Sequence, residues 1–174
     1  MGKKIFFLVA SILITILIFV FRDKIGEFQG YGLFGLFVIS VIGNATIILP
    51  APVILSAFVA GAIFNPIAVA VVVAAGATIG ELTGYFAGYG SVGLIDGDSK
   101  LKKVKSWMDK FGLWVILILA AIPNPLFDLA GIVAGATEIK IWKYLLLVFA
   151  GKLVKFGVVA YMGANSITLL DKFI

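Results

Sequence analysis

Two apolar stretches, each broken by a pair of prolines, decide how this chain folds: Ile47-Ile-Leu-Pro50-Ala-Pro52-Val-Ile-Leu55 and Leu119-Ala-Ala-Ile-Pro123-Asn-Pro125-Leu-Phe127. Proline removes a backbone donor and breaks a helix, so each stretch predicts a chain reversal between two apolar helices. An Ala-Gly pair follows each one, Ala60-Gly61 and Ala134-Gly135, and then a long apolar helix with charge in its middle. Interrupted apolar segments at corresponding places in two halves are typical of transporter binding sites.

Composition places the chain in a membrane. Of its 174 residues, 62% are hydrophobic and 13% are charged, and the mean hydropathy is +1.17. A soluble domain is nearer half apolar and a quarter charged. Length and composition therefore predict a single all-α integral membrane domain, residues 1–174.

The chain contains neither cysteine nor histidine. This inventory excludes disulfides, thiolate metal sites and the commonest general base. We therefore expect no catalytic residue, no metal and no cofactor, and hence no enzyme. The net charge of +5 comes mostly from lysines at segment ends, and no glycine-rich phosphate loop is present, so no nucleic-acid partner is expected.

Three apolar runs are long enough to cross a bilayer core of ~30 Å, with some local thinning for the first. They are Ile5–Phe21, Pro66–Gly88 and Ile141–Gly163. The first follows Lys3 and Lys4 as a signal peptide would. No small-residue cleavage site follows it, so we favour a retained transmembrane helix.

Three further apolar runs are short and reach little more than half of the thickness of the bilayer core. They are Val53–Phe64, Phe111–Ile122 and Leu126–Ala136. We predict two re-entrant helical hairpins, in Val41–Phe64 and Phe111–Ala136, buried in protein or lining a cavity. The alternative is two kinked or short spanning helices per hairpin, and it is stronger for the first, whose leading arm Tyr31–Leu49 is long enough to span.

The two halves align as repeats. Matching residues differ by 73 to 75 positions: Pro50 and Pro123, Gly61 and Gly135, Gly76 and Gly151, Gly88 and Gly163. We divide the chain into an N-terminal helix and loop (1–30), a first hairpin-plus-helix repeat (31–90), an interfacial helix (97–110) and a second repeat (111–164). If both hairpins are re-entrant, the repeats have opposite orientations and the hairpins are opposed.

Basic residues predict the orientation, because they favour cytoplasmic loops. With the N-terminus inside, the cytoplasmic set is Lys3, Lys4, Lys100, Lys102, Lys103, Lys105, Lys110, Lys140 and Lys143. The outer set is Arg22, Lys24 and Lys172. We expect a multi-pass protein of the cell (plasma) membrane, with the N-terminus and the 90–110 loop cytoplasmic.

That loop carries apolar residues at helical spacing between its lysines: Leu101, Val104, Trp107 and Met108. Asp98 or Ser99 can cap the start of a helix here, and Gly112 can end it. The pattern predicts one basic amphipathic helix on the cytoplasmic leaflet. A strut between the two halves is favoured over a regulatory lipid sensor.

Four ionisable residues fall inside apolar segments: Glu81, Asp128, Lys152 and Lys155. Ionisable groups inside a membrane are costly and mark functional sites by default. The spacing of Lys152 and Lys155 places both on one helix face. We predict that all four meet at similar depth and bind substrate or ions. The structural alternative is two buried pairs, Glu81 with Lys152 and Asp128 with Lys155, that only hold the repeats together.

Other candidate residues have structural interpretations. Gly76, Gly80, Gly84 and Gly88 recur at every fourth position, which indicates a smooth face for helix packing. Pro50, Pro52, Pro123 and Pro125 are the predicted hairpin tips. Asn124 is expected to satisfy backbone groups freed at the turn, or to contact substrate. The helix N-termini after the prolines suit an anionic group such as phosphate.

These residues resemble the DedA/VTT (SNARE-associated Golgi protein) family from about Gly43 to Gly163. Pro50-Ala-Pro52 leading to Ala60-Gly61 is similar to the family's first hairpin, and Ile122-Pro123-Asn-Pro125 through Ala134-Gly135 to its second. Gly76-Ala-Thr-Ile-Gly80-Glu81-Leu-Thr-Gly84-Tyr85-Phe-Ala-Gly88 resembles its glycine-acid-tyrosine helix, with Glu81 at the acidic position.

The resemblance implies two opposed re-entrant hairpins. It also implies that the protein flips or scrambles a lipid, which in bacterial members of the family is undecaprenyl phosphate, and that this movement is often coupled to ion gradients. This chain departs from the family pattern in three places. Asn44 stands where an acid often precedes the first hairpin, Asp128 is an addition, and Ala120, Ala121 and Leu126 surround Pro123 in place of the arginines of F-x-R-x-x-P-x-x-R. Lysine does not replace bidentate phosphate binding by arginine, so we expect the headgroup preference to differ.

We predict a membrane transporter, a flippase or scramblase of an anionic lipid such as a polyprenyl phosphate or a phospholipid. Lys152 and Lys155 would meet the headgroup, while Glu81 and Asp128 would gate it or carry protons. The expected partner is then a membrane lipid that serves as substrate. Coupling to protons or cations and assembly into a homo-oligomer are both compatible with this prediction. The alternatives are a small-ion or proton-coupled carrier and a non-transporting membrane scaffold; an aquaporin-like channel fits less well.

Overall fold

The computed structural model describes residue 9 and residues 31–45, 50–90, 98–124 and 126–170. Within these ranges all regular structure is helical. The helices are α1 (Gly32–Asn44), α2 (Pro50–Ile63), α3 (Pro66–Gly80), α4 (Leu82–Gly90), α5 (Ser99–Phe111), α6 (Trp114–Ala121), α7 (Phe127–Ala136) and α8 (Ile141–Leu170). The N-terminal helix predicted at Ile5–Phe21, apart from residue 9, and Pro125 at the second hairpin tip lie outside the described residues.

Two described segments are long and apolar enough to cross a membrane, Pro66–Gly90 and Ile141–Ser166. They coincide with two of the predicted long helices, and α8 continues to Leu170, beyond its predicted end. The first segment consists of α3 and α4, which are separated at Glu81 alone. Glu81 keeps near-helical angles (φ −65°, ψ −12°), and its N–H donates to the Ala77 carbonyl at 3.2 Å.

The helices on either side of the prolines are short. The first pair, α1 and α2, has 13 and 14 residues, and the second pair, α6 and α7, has 8 and 10. Even the longest reaches only about 21 Å, against a hydrocarbon core of ~30 Å. Of the leading arm predicted at Tyr31–Leu49, α1 forms Gly32–Asn44, and residues 46–49 lie outside the described residues.

Contacts between helices fix their relative directions. A Cβ on Gly76 would meet Phe37, and one on Gly80 would meet Val41, so α1 and α3 run parallel. Along the other long pair, Gly157 of α8 lies beside Ala70 and Tyr144 lies beside Tyr85. The α3–α4 segment and α8 are therefore antiparallel.

The leading arms of both hairpins end at the same level of α8. Asn44, the last residue of α1, contacts Lys152. Ala121, the last residue of α6, lies beside Gly151, where an added Cβ would be 3.0 Å from the Ala121 nitrogen. Both leading arms consequently end near the middle of the Ile141–Ser166 span.

The returning arms pack across the two halves of the chain. Helix α2 packs on α8, and α7 packs on α4. Each contact has two glycines at which a Cβ would overlap a facing carbonyl: Gly61 against Ala160, Gly163 against Phe58, Gly135 against Tyr85, and Gly88 against Ile132. The first and second contacts are related by the 74- and 75-residue spacing of these glycines in the sequence.

Two hydrophobic clusters form the core, and α8 contributes to both. One contains side chains of α4 to α7 and the first half of α8, including Tyr144 and Val148. The other contains side chains of α1 to α3 and the second half of α8, including Phe156 and Ala160. The long helix α8 thus joins the two halves.

The predicted amphipathic helix forms α5. Asp98 caps it by accepting from the backbone N–H groups of Lys100 and Leu101 at 2.6 and 3.2 Å, and Gly112 ends it with φ 66°. These caps were predicted. Its apolar face is buried in the protein core through Leu101, Val104 and Met108, which favours a strut over a lipid sensor.

Replacing Gly88 by alanine should destabilise the protein, because the new Cβ would overlap the Ile132 carbonyl and separate α4 from α7. Overpacking of this kind costs about 1–3 kcal/mol, so we expect a lower Tm in detergent. Gly84→Ala is the matched control on the same helix, since its Cβ would be 3.9 Å from the nearest atom, the Asp128 carbonyl oxygen. Equal Tm values for the two variants would contradict the packing role of Gly88.

Candidate functional site

Lys152 is the buried centre of the site. Its side chain is 1% exposed, yet its ammonium group has three partners. Nζ lies 2.6 Å from Glu81 Oε1 and 2.5 Å from Asn44 Oδ1, and it sits 4.9 Å from the centroid of the Phe127 ring. A buried charge is tolerable only when it is paired and hydrogen-bonded, and this environment supplies both.

Four different helices or helix ends supply these groups. Lys152 comes from the middle of α8, Glu81 from the junction of α3 and α4, and Phe127 from the first turn of α7. Asn44 ends α1, and its Nδ2 donates to the Ser40 carbonyl at 2.9 Å. That bond leaves Asn44 Oδ1 to accept from Lys152, so the end of the leading arm of the first hairpin is fixed to the centre of α8.

Glu81 is placed by the glycines around it. Gly80 brings α3 so close to the end of α1 that a Cβ there would contact Val41 and Ala45. Thr83 strengthens this contact, because its hydroxyl donates to the Ala45 carbonyl at 2.8 Å. The carboxylate is therefore held inside the protein, 4% exposed, at the level where α1 ends.

Asp128 and Lys155 differ from the buried pair. Both are half-buried, and neither makes a hydrogen bond or ion pair within the part of the chain that the structure describes. The predicted pair of Asp128 with Lys155 is therefore not formed there. Phe127, directly before Asp128, has its ring 4.9 and 5.9 Å from the ammonium groups of Lys152 and Lys155, so Asp128 and Lys155 lie in the same region as the buried pair.

Aromatic rings surround the second lysine. Lys155 Nζ lies 5.9 Å from the Phe127 centroid and 5.1 Å from the Phe156 centroid. The Phe127 ring thus faces both lysines of α8. Ring faces attract cations, but they leave the three N–H donors of an ammonium group available to an acceptor.

Tyr144 lies in the first turn of α8, on the N-terminal side of the two lysines. Its side chain is fully buried, and its hydroxyl has no hydrogen-bond partner among the described residues. The ring packs against Tyr85 at a centroid distance of 5.2 Å, and the hydroxyl points at Gly131, where a Cβ would be 2.9 Å away. The Tyr85 hydroxyl in turn donates to the Ile139 carbonyl at 2.5 Å.

Asn124 stabilises the turn of the second hairpin. Its Nδ2 donates to the Leu119 and Ile122 carbonyls at 2.9 and 2.8 Å, and its Oδ1 accepts from the Leu126 N–H at 2.9 Å. These bonds satisfy backbone groups at the turn, as the structural interpretation of Asn124 expects. They occupy the amide, and no hydrogen bond joins Asn124 to the four charges within the described residues; a contact with substrate stays a prediction.

The predicted tips and packing residues are placed as follows. The backbone of Pro50 and Pro52 forms the first turn of α2, and Pro123 lies between α6 and α7. Gly76, Gly80 and Gly88 make close packing contacts, whereas Gly84 does not. Among the described residues, no cluster of three acidic, histidine or cysteine side chains could hold a metal.

Two contacts of the site were not predicted from the sequence. Asn44 was identified only as the residue in place of an acid before the first hairpin, and its bond to Lys152, 108 residues away, was not predicted. Phe127 was not singled out at all. Its position directly before Asp128 at a hairpin tip is the signal that could have indicated it.

One cavity of the described region does not involve these charges. It has a volume of about 420 Å³ and lies between α1 and α2, lined mainly by apolar side chains such as Leu36, Leu55 and Val59. Ser56 is its one hydroxyl-bearing lining residue. The cavity and the charged site are thus separate features of the fold.

Together, the fold and the site define a helical membrane protein in which a buried ion pair joins two long apolar helices. The chain belongs to the VTT domain family, whose domain matches residues 49–165. This result confirms the resemblance found in the sequence.

Three relatives are similar to part of the chain. Vacuole membrane protein KMS2 of Arabidopsis thaliana is 42% identical over 57 residues, which cover 30% of this chain and 14% of the relative. Vacuole membrane protein KMS1 of the same plant is 41% identical over 56 residues, covering 30% and 14%. The vacuole membrane protein 1 homolog of Dictyostelium discoideum is 45% identical over 53 residues, covering 30% and 13%. No solved structure matches.

Lys152→Met should destabilise the protein by about 3–5 kcal/mol, because it leaves the Glu81 carboxylate buried without its partner. Adding Glu81→Gln should recover part of that loss, since the remaining group is neutral. Unfolding in detergent would measure both variants, and Lys102→Met, an exposed site on α5, is the control. Additive losses in the double variant would show that the two side chains do not form an energetic pair.

Proposed function

We propose that this protein moves a phosphate-bearing lipid across the membrane as a flippase or scramblase. The observation that carries the proposal is the unequal use of two neighbouring lysines. Lys152 is buried and satisfied by Glu81 and Asn44. Lys155, one turn away, is half-buried, lies beside the Phe127 and Phe156 rings, and has no hydrogen bond or ion pair within the described residues.

A cation in this position suits a transient anion. An intramembrane lysine whose donors are free is expensive unless it faces a cavity or a ligand. A lipid phosphate would accept from the Lys155 ammonium while its acyl chains remained in the bilayer. The buried pair, by contrast, would keep the two halves of the protein together while the headgroup passes.

We further propose that α1–α2 and α6–α7 are opposed re-entrant hairpins of an inverted repeat. Their arms are too short to span, and both leading arms end beside residues 151–152 of α8. The two long segments are antiparallel, and the glycine contacts of α2 with α8 match those of α7 with α4. Irregular backbone at that depth requires protein or water around it, which agrees with a site there.

Coupling and location are part of the same proposal. Asp128 directly follows Phe127, whose ring lies beside both lysines, so it would gate the headgroup or exchange a proton with it. We place the N-terminus and the 90–110 loop in the cytoplasm of a plasma-membrane protein. The relatives are named for the vacuole membrane, so an internal membrane is the competing location. A homo-oligomer remains compatible with the proposal.

The hairpin geometry can be tested with single thiols, because the chain contains no cysteine. Ile122→Cys lies at the tip of the second hairpin and Phe111→Cys near the start of its leading arm; both side chains are exposed. We expect an impermeant maleimide to label Phe111→Cys from one side of a vesicle, and not to label Ile122→Cys from the opposite side. Labelling of Ile122→Cys from that opposite side at the rate of a free thiol would indicate a spanning hairpin.

Lipid movement itself can be tested in proteoliposomes containing a fluorescent phospholipid and an impermeant quencher. Lys155→Gln should slow movement about tenfold or more, because a hydrogen bond to a charged group contributes about 1.5–3 kcal/mol. Lys102→Gln, on the exposed face of α5, is the matched control and should behave as the wild type. Unchanged rates in folded Lys155→Gln would contradict the proposal. Ion flux without lipid movement would favour a small-ion carrier, and neither activity would favour a scaffold.

A further inference from the structure

We propose that the headgroup taken by this site is zwitterionic, with its phosphate on Lys155 and its cationic group on Asp128. The inference rests on the proposed lipid transport and specifies the substrate class. It follows from which charges are already compensated within the described site and which are not.

The buried half of the site is electrically complete. Glu81 and Lys152 form an ion pair at 2.6 Å, with side chains 5% and 1% exposed. Asn44 accepts a further hydrogen bond from the same ammonium group. A ligand therefore gains little by approaching this pair, and it would have to break a buried ion pair to do so.

The accessible half of the site carries one charge of each sign. Lys155 and Asp128 are both half-buried, and neither has a hydrogen bond or ion pair within the described residues. Asp128 directly follows Phe127 in the first turn of α7, and the Phe127 ring lies 5.9 Å from Lys155 Nζ. An ammonium group offers three donors and a carboxylate only acceptors, so the two groups together match a ligand that has both a phosphate and a cation.

A purely anionic headgroup fits this half less well. Its phosphate could bind Lys155, but Asp128 would then face a like charge at close range. In a site of low dielectric, repulsion between like charges at close range strongly reduces the affinity for the ligand that carries one of them. Asp128 is thus a specificity-determining residue, and it selects against headgroups that carry net negative charge.

The aromatic neighbours agree with this assignment. Phe127, directly before Asp128, turns its ring to Lys152 and Lys155 at 4.9 and 5.9 Å. The ring lies beside both ammonium groups, but only Lys152 is also bonded to Glu81 and Asn44, so a headgroup could bind Lys155 and Asp128 while the buried pair stays intact.

The test compares lipids that share acyl chains and label but differ in headgroup charge. Acyl-labelled phosphatidylcholine and phosphatidylethanolamine are zwitterionic, and phosphatidylglycerol is anionic. In proteoliposomes of neutral carrier lipid, the wild type should move the zwitterionic lipids about tenfold faster than phosphatidylglycerol. This measurement requires no variant, so it stands even if substitutions at the site prevent folding.

Asp128→Asn should then reduce that preference about tenfold by speeding phosphatidylglycerol relative to phosphatidylcholine. Asp109→Asn, an exposed carboxylate on α5, removes the same charge far from the site and should leave the preference unchanged. A preference that is the same in wild type, Asp128→Asn and Asp109→Asn would overturn the role of Asp128. An equal or faster rate for phosphatidylglycerol in the wild type would overturn the zwitterionic assignment, while leaving lipid transport in place. Movement of none of these lipids by the folded wild type would overturn this inference and reject transport of these phospholipids.

Discussion

The contact on which the rest of the structure depends is the bond from Lys152 to Glu81 and Asn44. A charged lysine that is fully buried in the middle of a long apolar helix needs close partners. Its two oxygen ligands come from the end of α1 and from the junction of α3 and α4. The bonds of this one ammonium group therefore fix the depth at which α1 ends. They also fix the position of the α3–α4 segment along α8.

Helix α8 converts this local requirement into an architecture. Its first half packs with α4, α6 and α7, and its second half packs with α2 and α3. Glycines allow its backbone to touch both neighbours at close range. Van der Waals packing through small residues is the main attraction between helices in lipid. The ion pair at its centre then lies between two tightly packed ends, where neither half can shift without separating the charges.

Much of this arrangement follows from the sequence, because proline positions, segment lengths and intramembrane charges carry strong local signals. The ends of α5, the bonds of Asn124 and the meeting of Glu81 with Lys152 were predicted in this way. The glycine spacing predicted that two contacts would be alike, but not which carbonyl each glycine faces, since every residue offers one. The bond of Asn44 to Lys152 depends on the tilt of α1 against α8, for which spacing carries no information. Asp128 and Lys155 stay apart for a related reason: sequence places them at one level, whereas side-chain direction decides whether they pair.

The exchange of packing partners between the two halves has a consequence for how the chain is made. Helix α2 leaves the ribosome early, but the residues that its backbone needs, Ala160 and Gly163, are among the last of the described chain to emerge. Until then α2 lacks the α8 surface on which it packs, and contacts so distant in sequence form slowly. The first half of the chain therefore completes its packing late, and until α8 is made the insertion machinery or lipid must shield α2. Synthesis of α8 then joins the two halves in a late step of biogenesis.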